Sequence, residues 1–227
     1  MKMMTNLFSS FDPLTNIFNL QINWLSVMIG LILIPMNFWL IPNRLNFLFH
    51  KASILLFKEF KMLMKLSNLN GNSIIFITLF FFLFYNNFMG LMPYIFTATS
   101  HMVFTFSFGL TIWLTLMIFG WLNNYIHMMA HLIPNGTPLI LTWFMVLIET
   151  TSNMIRPGTL AIRLMANLMA GHLLLTLLSE MNNNANLILM ITIISTQILL
   201  LILEMSVSII QAYVFFILTT LYSTEIN

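Results

Sequence analysis

Long apolar runs with almost no charge constrain this chain more than any other feature of its sequence. Of its 227 residues, 59% are hydrophobic and only 6% are charged, whereas a typical soluble domain has about 25% charged residues. So few charges cannot cover a water-facing surface, and the runs are long enough to cross a bilayer as helices. The sequence therefore predicts an all-α integral membrane protein that is surrounded by the lipid bilayer, and we expect no nucleic-acid partner.

Turn and polar residues divide this apolar sequence into about five membrane helices and one surface helix within a single membrane domain, 1–227. A helix of about 40 residues is roughly 60 Å long, twice the hydrocarbon thickness of about 30 Å. Each of the last two stretches is therefore either two spans or one steeply tilted helix, and we favour two long tilted helices that form a hairpin. The predicted segments are a first span at 20–41, an amphipathic surface helix at 44–66, spans at 74–96 and 102–125, and long helices at 139–178 and 185–222.

The predicted surface helix carries most of the positive charge. Five of the eight basic residues lie within 44–66, and Arg44, Lys51, Lys58 and Lys65 recur at intervals of seven. Because about seven residues make two helical turns, these side chains share one face. That pattern is typical of a helix lying in the membrane surface, although a solvated loop is the alternative. Basic segments favour the inner side of a membrane, so we expect the N-terminus outside and the C-terminus inside.

A stripe of polar side chains interrupts the apolar surface of the first long helix. With Arg163 placed at 0° and 100° per residue, the members of this stripe fall within about 40° of it. His172 falls about 180° away, on the opposite face. The polar stripe consists of Glu149, Ser152, Arg156, Thr159, Arg163 and Asn167, with the small Ala170 beside them.

Arg163 is the member of the polar stripe that most needs a partner. An arginine at bilayer depth costs at least about 2.5–3.5 kcal/mol on insertion scales, and its guanidinium stays charged. It must therefore meet a carboxylate, water or a polar cavity. Glu149 lies about four turns away on the same helix and is too far to pair. Ionisable residues at this depth mark ion or proton paths by default.

A second polar face is predicted on the last helix. Glu204, Ser208 and Gln211 share it, because a step of seven is close to two turns. For Ser208, Gln211 and Asn167 taken singly, the alternative is a hydrogen bond between packed helices. Arg163, Glu149, His172 and Glu204 taken together favour a proton path.

Neither a metal nor a cofactor is expected. His127 and His131 have the i, i+4 spacing of a metal-binding pair, but no third ligand is near them in the sequence and they are predicted at the membrane surface. The chain has no cysteine, so no disulfide constrains it.

Two segments of the sequence resemble subunit a of the F-type ATP synthase, and in particular its mitochondrially encoded form. They are ETTSNMIRPGTLAIRLMANLMAGHLL and LEMSVSIIQAYVFFILTTLY. The first contains the motif R-L-x-A-N-x-x-A-G-H, which is long and specific to that family. The resemblance extends over nearly the whole chain and includes NNFMGLMPY at 86–94.

The resemblance implies a role for each polar residue. Arg163 would be the stator arginine, facing a ring of c-subunits that each carry a proton-binding carboxylate at mid-membrane. Glu149 and Glu225 would line the half-channel open to the matrix. The residues of the half-channel open to the intermembrane space would be Asn167, His172, Glu204 and Gln211, with Asn87 near its opening.

Two departures from the bacterial members affect this transfer. Many bacterial members have an acid at the position of His172 and a histidine at that of Glu204, so this chain follows the mitochondrial arrangement. We predict that His172 and Glu204 form a proton-accepting pair on the outer side, because they lie near the same end of facing helices. Gly90 stands where bacterial members have an aspartate, so only Asn87 is carried over from that region.

The implied function is that of a proton-translocating stator subunit in the membrane sector of ATP synthase, which is not catalytic by itself. Its partners would be the c-ring, the peripheral stalk and other membrane subunits of the complex. It would lie in the mitochondrial inner membrane, with its N-terminus toward the intermembrane space and its C-terminus toward the matrix. One alternative is a self-contained ion channel or proton-coupled transporter, which would hold both halves of its ion site. A structural subunit without a transport role is another, but it leaves Arg163 unexplained.

Overall fold

α-Helices make up almost all of the described fold. The computed structural model describes residues 7–15, 20–35, 40–63, 70–133, 138–181 and 186–226, and these ranges contain no strand. Short 3₁₀ turns occur at Leu7–Phe11, Ile22–Leu25 and Ala98–Ser100. The predicted all-α fold class is confirmed. The helices are α1 (Ser26–Ile32), α2 (Arg44–Leu63), α3 (Asn70–Gly90), α4 (Met102–Asn123), α5 (Tyr125–His131), α6 (Leu139–Met181) and α7 (Leu187–Ile226).

Among the described residues, four helices are long and apolar enough to cross a membrane, which makes the chain a multi-pass membrane protein. Within the predicted first span, 20–41, the described helical segment is Ile22–Ile32. This is shorter than the roughly 20 residues that a span needs. Residues 36–39 lie outside the described ranges, so that span stays a prediction. The four long segments are Ser73–Gly90, Met102–Asn123, Ile140–Met181 and Leu187–Thr224.

α3 ends earlier than the sequence predicts. The apolar run continues to residue 96, but the helix stops at Gly90. Pro93 has no N–H to donate, and it disfavours the helical conformation at the residue before it. Tyr94 has a φ of 69°, which no right-handed helix accommodates. Residues 91–97 therefore form a loop at the end of α3, and this loop lines a cavity described below.

α6 and α7 are each one continuous helix. They contain 43 and 40 residues, which corresponds to about 65 Å and 60 Å. α6 continues through Pro157, so the Pro157–Gly158 step does not divide it into two spans. The two helices pack against each other and against α3 and α4. Their shared apolar core consists of Leu83, Phe104, Leu160, Leu164, Leu168, Ala212 and Phe215.

α2 packs against the helical bundle through one face. Leu56 and Phe60 are buried against aromatic side chains of α3 and against Phe216 of α7. The hydroxyl of Tyr213 on α7 donates a hydrogen bond to Glu59 Oε2 at 3.2 Å. The predicted position of this helix in the membrane surface stays a prediction. α2 buries only the edge that carries Leu56 and Phe60, while other apolar residues of the helix, among them Leu45 and Phe57, are exposed together with the basic residues. Its exposed basic residues are Arg44, Lys51, Lys58 and Lys61.

Candidate functional site

Arg163 lies on an exposed face of α6, beside α7. It borders a small crevice together with Gln211 and Val214 of α7. Small side chains on a membrane helix let a neighbouring helix approach closely, and two alanines follow Arg163 on this face. The exposed residues next to it are Ala166, Asn167 and Ala170.

The two arginines of the polar stripe have different surroundings. Arg156 Nη2 lies 3.8 Å from Glu149 Oε1, and its guanidinium carbon lies 5.0 Å from the centre of the Tyr222 ring. These contacts hold Arg156 between its own helix and α7 by charge and by cation–π attraction. Within the described ranges, by contrast, no carboxylate lies within ion-pair distance of Arg163.

A cavity of about 180 Å³ lies between α3, α6 and α7 and contains the side chain of Glu204. We call it the Glu204 cavity. Glu204 is only 8% exposed, and neither carboxyl oxygen has a hydrogen-bond partner among the described residues. A buried carboxylate is costly without a partner, so this group must either hold a proton or bind water. The other polar residues that line the cavity are Asn87, Asn167, Ser208 and Gln211.

Asn87 is the residue of α3 that lines the Glu204 cavity. Its side chain is 1% exposed, and its Nδ2 donates to the Ser208 carbonyl at 3.5 Å, the long end of the hydrogen-bond range. Its Oδ1 has no partner among the described side chains and backbone. The cavity thus contains a buried amide oxygen and a buried carboxyl group, both suited to contact water or a proton donor.

His172 borders a different and larger cavity of about 600 Å³, which we call the vestibule. Its walls come from the N-terminal segment, the loop 91–97 and the end of α6. The imidazole is half-buried, its side chain approaches the Gly90 backbone, and it meets the ring of Phe11 edge to face. The polar residues that line the vestibule are Ser10, Asn23, Thr97, His172, Thr176 and Ser179.

His172 and Glu204 are neighbours through the backbone of α6 and do not form an ion pair in the described structure. Glu204 packs directly against Gly171, the residue that precedes His172. One side chain lines the vestibule and the other lines the Glu204 cavity. The predicted proton-accepting pair is therefore arranged as two successive positions rather than as a direct contact.

Comparison with known proteins identifies the family to which this arrangement belongs. The family model described as ATP synthase A chain matches residues 20–224. The chain belongs to the ATP synthase subunit a family. It is 57% identical to ATP synthase subunit a of Locusta migratoria over 224 residues, 99% of this chain and 100% of that protein. It is 55% identical to the Anopheles quadrimaculatus and Drosophila melanogaster proteins over 226 and 225 residues, again 99% and 100% of the two chains in each pair.

The family resemblance predicted from the two motifs is confirmed, and subunit a belongs to the membrane sector of ATP synthase. The roles of individual residues stay predictions. For the matrix-side pair, the structure places Glu149 beside Arg156. Position 225 lies in the last turn of α7, but the Glu225 side chain lies outside the described part of the chain.

Three contacts of the candidate site have no signal in the periodicity of the sequence. Phe11, Gly171 and Tyr222 are each brought to a polar residue by tertiary packing. Gly171 is the one that the sequence could have indicated, because a small residue beside His172 permits close approach of another helix. Phe11 and Tyr222 look like ordinary apolar residues in the sequence alone.

Gly171→Ala is expected to disturb the Glu204 cavity. A β-carbon at Gly171 would lie 2.6 Å from Cδ and 2.9 Å from Cγ of Glu204, so the carboxyl group must move. The atoms that must move are the flexible end of the Glu204 side chain, which borders a cavity, so the cost in stability is small. We expect a thermal unfolding midpoint close to that of the parent but slower ATP-driven proton pumping, because the carboxyl group is displaced.

Gly158→Ala is the matched control for Gly171→Ala. It changes the same residue type on the same helix, but apart from its chain neighbours and the backbone of its own helix, no atom of the described residues lies within 4 Å of the added β-carbon. This variant is expected to pump protons at the parent rate and to unfold at the parent temperature. Equal behaviour of the two variants would show that the contact between Gly171 and Glu204 is unimportant.

Proposed function

We propose that this subunit a is the proton-translocating stator subunit, in which two offset half-channels serve the carboxylates of a c-subunit ring and Arg163 separates them. The observation that carries the proposal is the exposed Arg163, which has no carboxylate within ion-pair distance in the described ranges. A cation that cannot lose its charge needs an anion at this depth. A ring carboxylate supplies that anion, whereas a self-contained channel or transporter would carry it within the chain.

The outer half-channel leads from the vestibule to the Glu204 cavity. A proton that reaches His172 from the outer water passes to Glu204, which lies against the preceding glycine. Asn87, Asn167 and Gln211 then line the path toward the ring. Polar side chains around a cavity of this size can hold water, which conducts the proton between the titratable groups.

The ring exchanges its proton beside Arg163. A fixed cation favours the charged form of a carboxylate that passes it, so each ring carboxylate gives up its proton there. Because the two half-channels do not connect, a proton crosses the membrane only by riding the ring from one to the other. Ala166 and Ala170 leave space for the ring helices to approach this face.

The inner half-channel is assigned to Glu149 and Glu225. Glu149 lies in the first part of α6 and position 225 lies at the end of α7, so the α6–α7 hairpin brings these two ends to the same side. The ion pair with Arg156 holds the Glu149 side chain at this end.

The position of this subunit in the cell follows from the same assignment. We place it in the mitochondrial inner membrane, with its N-terminus toward the intermembrane space and its C-terminus toward the matrix, because the basic face of α2 belongs on the inner side. Its partners are the c-ring, the peripheral stalk and the other membrane subunits. It contributes proton transfer to the complex and catalyses no reaction alone.

Cysteine labelling from each side of the membrane tests the two offset half-channels. The chain has no natural cysteine, so single replacements report without background from this subunit. Asn167→Cys is expected to react with a polar thiol reagent from the intermembrane-space side. Glu149→Cys and Glu225→Cys are expected to react from the matrix side.

Ile162→Cys is the control for reagent that reaches the protein through lipid. Its side chain is 49% exposed on α6 and lies outside both proposed half-channels, so it should stay unlabelled by a membrane-impermeant reagent. If all the reporter positions reacted from the same side, the half-channels would not be offset. If the sides were exchanged, the proposed orientation would be reversed.

A further inference from the structure

Phe11 is an aromatic residue of the N-terminal segment that contacts the proposed proton path. It ends the 3₁₀ turn Leu7–Phe11, and it is 8% exposed while Phe8 of the same turn is 63% exposed. Its ring centre lies 6.3 Å from that of His172, with an angle of 85° between the ring planes. This T-shaped arrangement is one of the preferred geometries of aromatic pairs.

The segment that carries Phe11 is fastened to the start of the helical bundle. Asn23 Nδ2 donates to the Asp12 carbonyl at 3.3 Å. The backbone N–H of Thr15 donates to the Leu20 carbonyl at 3.0 Å, and its hydroxyl donates to the same oxygen at 2.8 Å. These bonds tie the segment to residues 20–23, just before α1, and the 3₁₀ turn Leu7–Phe11 itself packs against α6.

The position of Phe11 restricts the imidazole of His172. Both side chains line the vestibule, and rotation of the imidazole would break the edge-to-face contact. The imidazole approaches the Gly90 backbone on one side, whereas its Nε2 has no hydrogen-bond partner among the described residues. The ring of Phe11 is therefore the contact that restricts the imidazole from the side of the N-terminal segment.

We propose that Phe11 is a positioning residue of the outer half-channel, whose ring fixes the imidazole of His172 between the vestibule and the Glu204 cavity. This inference rests on the proposed function of His172. The segment of the chain before α1 then has a part in proton delivery, in addition to covering the end of α6. Phe11 itself exchanges no proton and acts through His172.

A double-mutant cycle with His172 tests the proposal in the assembled complex. Phe11→Leu keeps apolar bulk but removes the ring, and we expect ATP-driven proton pumping to slow by about threefold to tenfold, the range that an aromatic pair is worth. Phe11→Tyr keeps the ring and should pump at the parent rate. In a His172→Ala background, Phe11→Leu should cause no further loss, because the residue through which it acts is gone.

Phe8→Leu is the matched control, since it makes the same change in the same turn at an exposed position, and it should pump at the parent rate. Phe11→Met, which fills space flexibly, replaces Phe11→Leu if the latter does not assemble, with the same slowing expected. If Phe11→Leu reduced the pumping rate by the same factor in the parent and in the His172→Ala background, the positioning role would be overturned while the proposed function stayed intact. Parent-level pumping by His172→Ala alone would overturn both.

Discussion

Replacing Arg163 with alanine is expected to abolish ATP-driven proton pumping by the assembled complex. Arg163 is exposed on the face where the small residues of α6 lie, and in the described ranges it has no carboxylate partner of its own. Removing one partner of a desolvated ion pair costs about 2–5 kcal/mol, which corresponds to at least about a 30-fold loss of rate. Vesicle acidification driven by ATP, at equal assembly of the complex, measures this effect.

Two further arginine variants separate charge from geometry. Arg163→Lys keeps the cation but loses the planar guanidinium and its reach, so it should also lose most coupled pumping. Arg156→Ala serves as the control on the same stripe. Its guanidinium is paired with Glu149 and Tyr222 inside the chain, so its loss should be smaller. Greater damage from Arg156→Ala than from Arg163→Ala would contradict the central assignment.

Glu204→Gln is expected to produce the second large effect, slower proton flux with an altered dependence on the outer pH. The substitution keeps the shape of a side chain that is 8% exposed, but it removes the carboxyl group that we propose accepts the proton in this cavity. General acid–base groups of this kind contribute about 10²–10⁴-fold to proton-transfer rates, although water in the cavity can replace part of this. We therefore expect at least a tenfold loss, measured as pumping rate across a series of outer pH values.

Glu180→Gln is the matched control for Glu204→Gln. It makes the same chemical change at an exposed glutamate near the end of α6 that lines neither cavity. Its pumping rate and pH profile should match those of the parent. An unchanged pH profile in Glu204→Gln would remove Glu204 from the proton path.

The polar stripe of α6 could be predicted from the sequence because helical periodicity determines which side chains share a face. Helical periodicity predicted Arg163 and Asn167 on one face of the helix and His172 on the opposite face. In the structure, Arg163 borders the crevice with α7 and His172 borders the vestibule. The length of α6 and α7 could likewise be predicted, since neither long apolar run contains a turn signal strong enough to divide it.

Boundaries that depend on local backbone conformation could not be predicted from hydropathy. α3 ends at Gly90 rather than at residue 96 because of Pro93 and the positive φ of Tyr94, and the side chains beyond Gly90 are still apolar. The loop that results contributes Thr97 to the vestibule. An apolar run therefore does not distinguish the last turn of a helix from a loop that packs against the same bundle.

Contacts between segments that are far apart in the chain could not be predicted from the sequence either. Phe11 and His172 are 161 positions apart (172 minus 11) and meet only after the N-terminal segment packs on α6. Helical periodicity gives the face of each residue but not the neighbour that covers it. The cavities around Glu204 and His172 belong to the same class, because their walls combine three or more segments.

Passive proton flux into vesicles, measured for three preparations, tests the central claim most directly. Subunit a alone should conduct no protons, because it lacks the ring carboxylate that the proposed path requires. Subunit a assembled with the c-ring should conduct. Arg163→Ala assembled with the ring should conduct at least as well, since it lacks the cation that we propose repels protons between the half-channels, yet it should not pump with ATP. Flux through subunit a alone, or ATP-driven pumping by Arg163→Ala near the parent rate, would contradict a stator that separates two half-channels with Arg163.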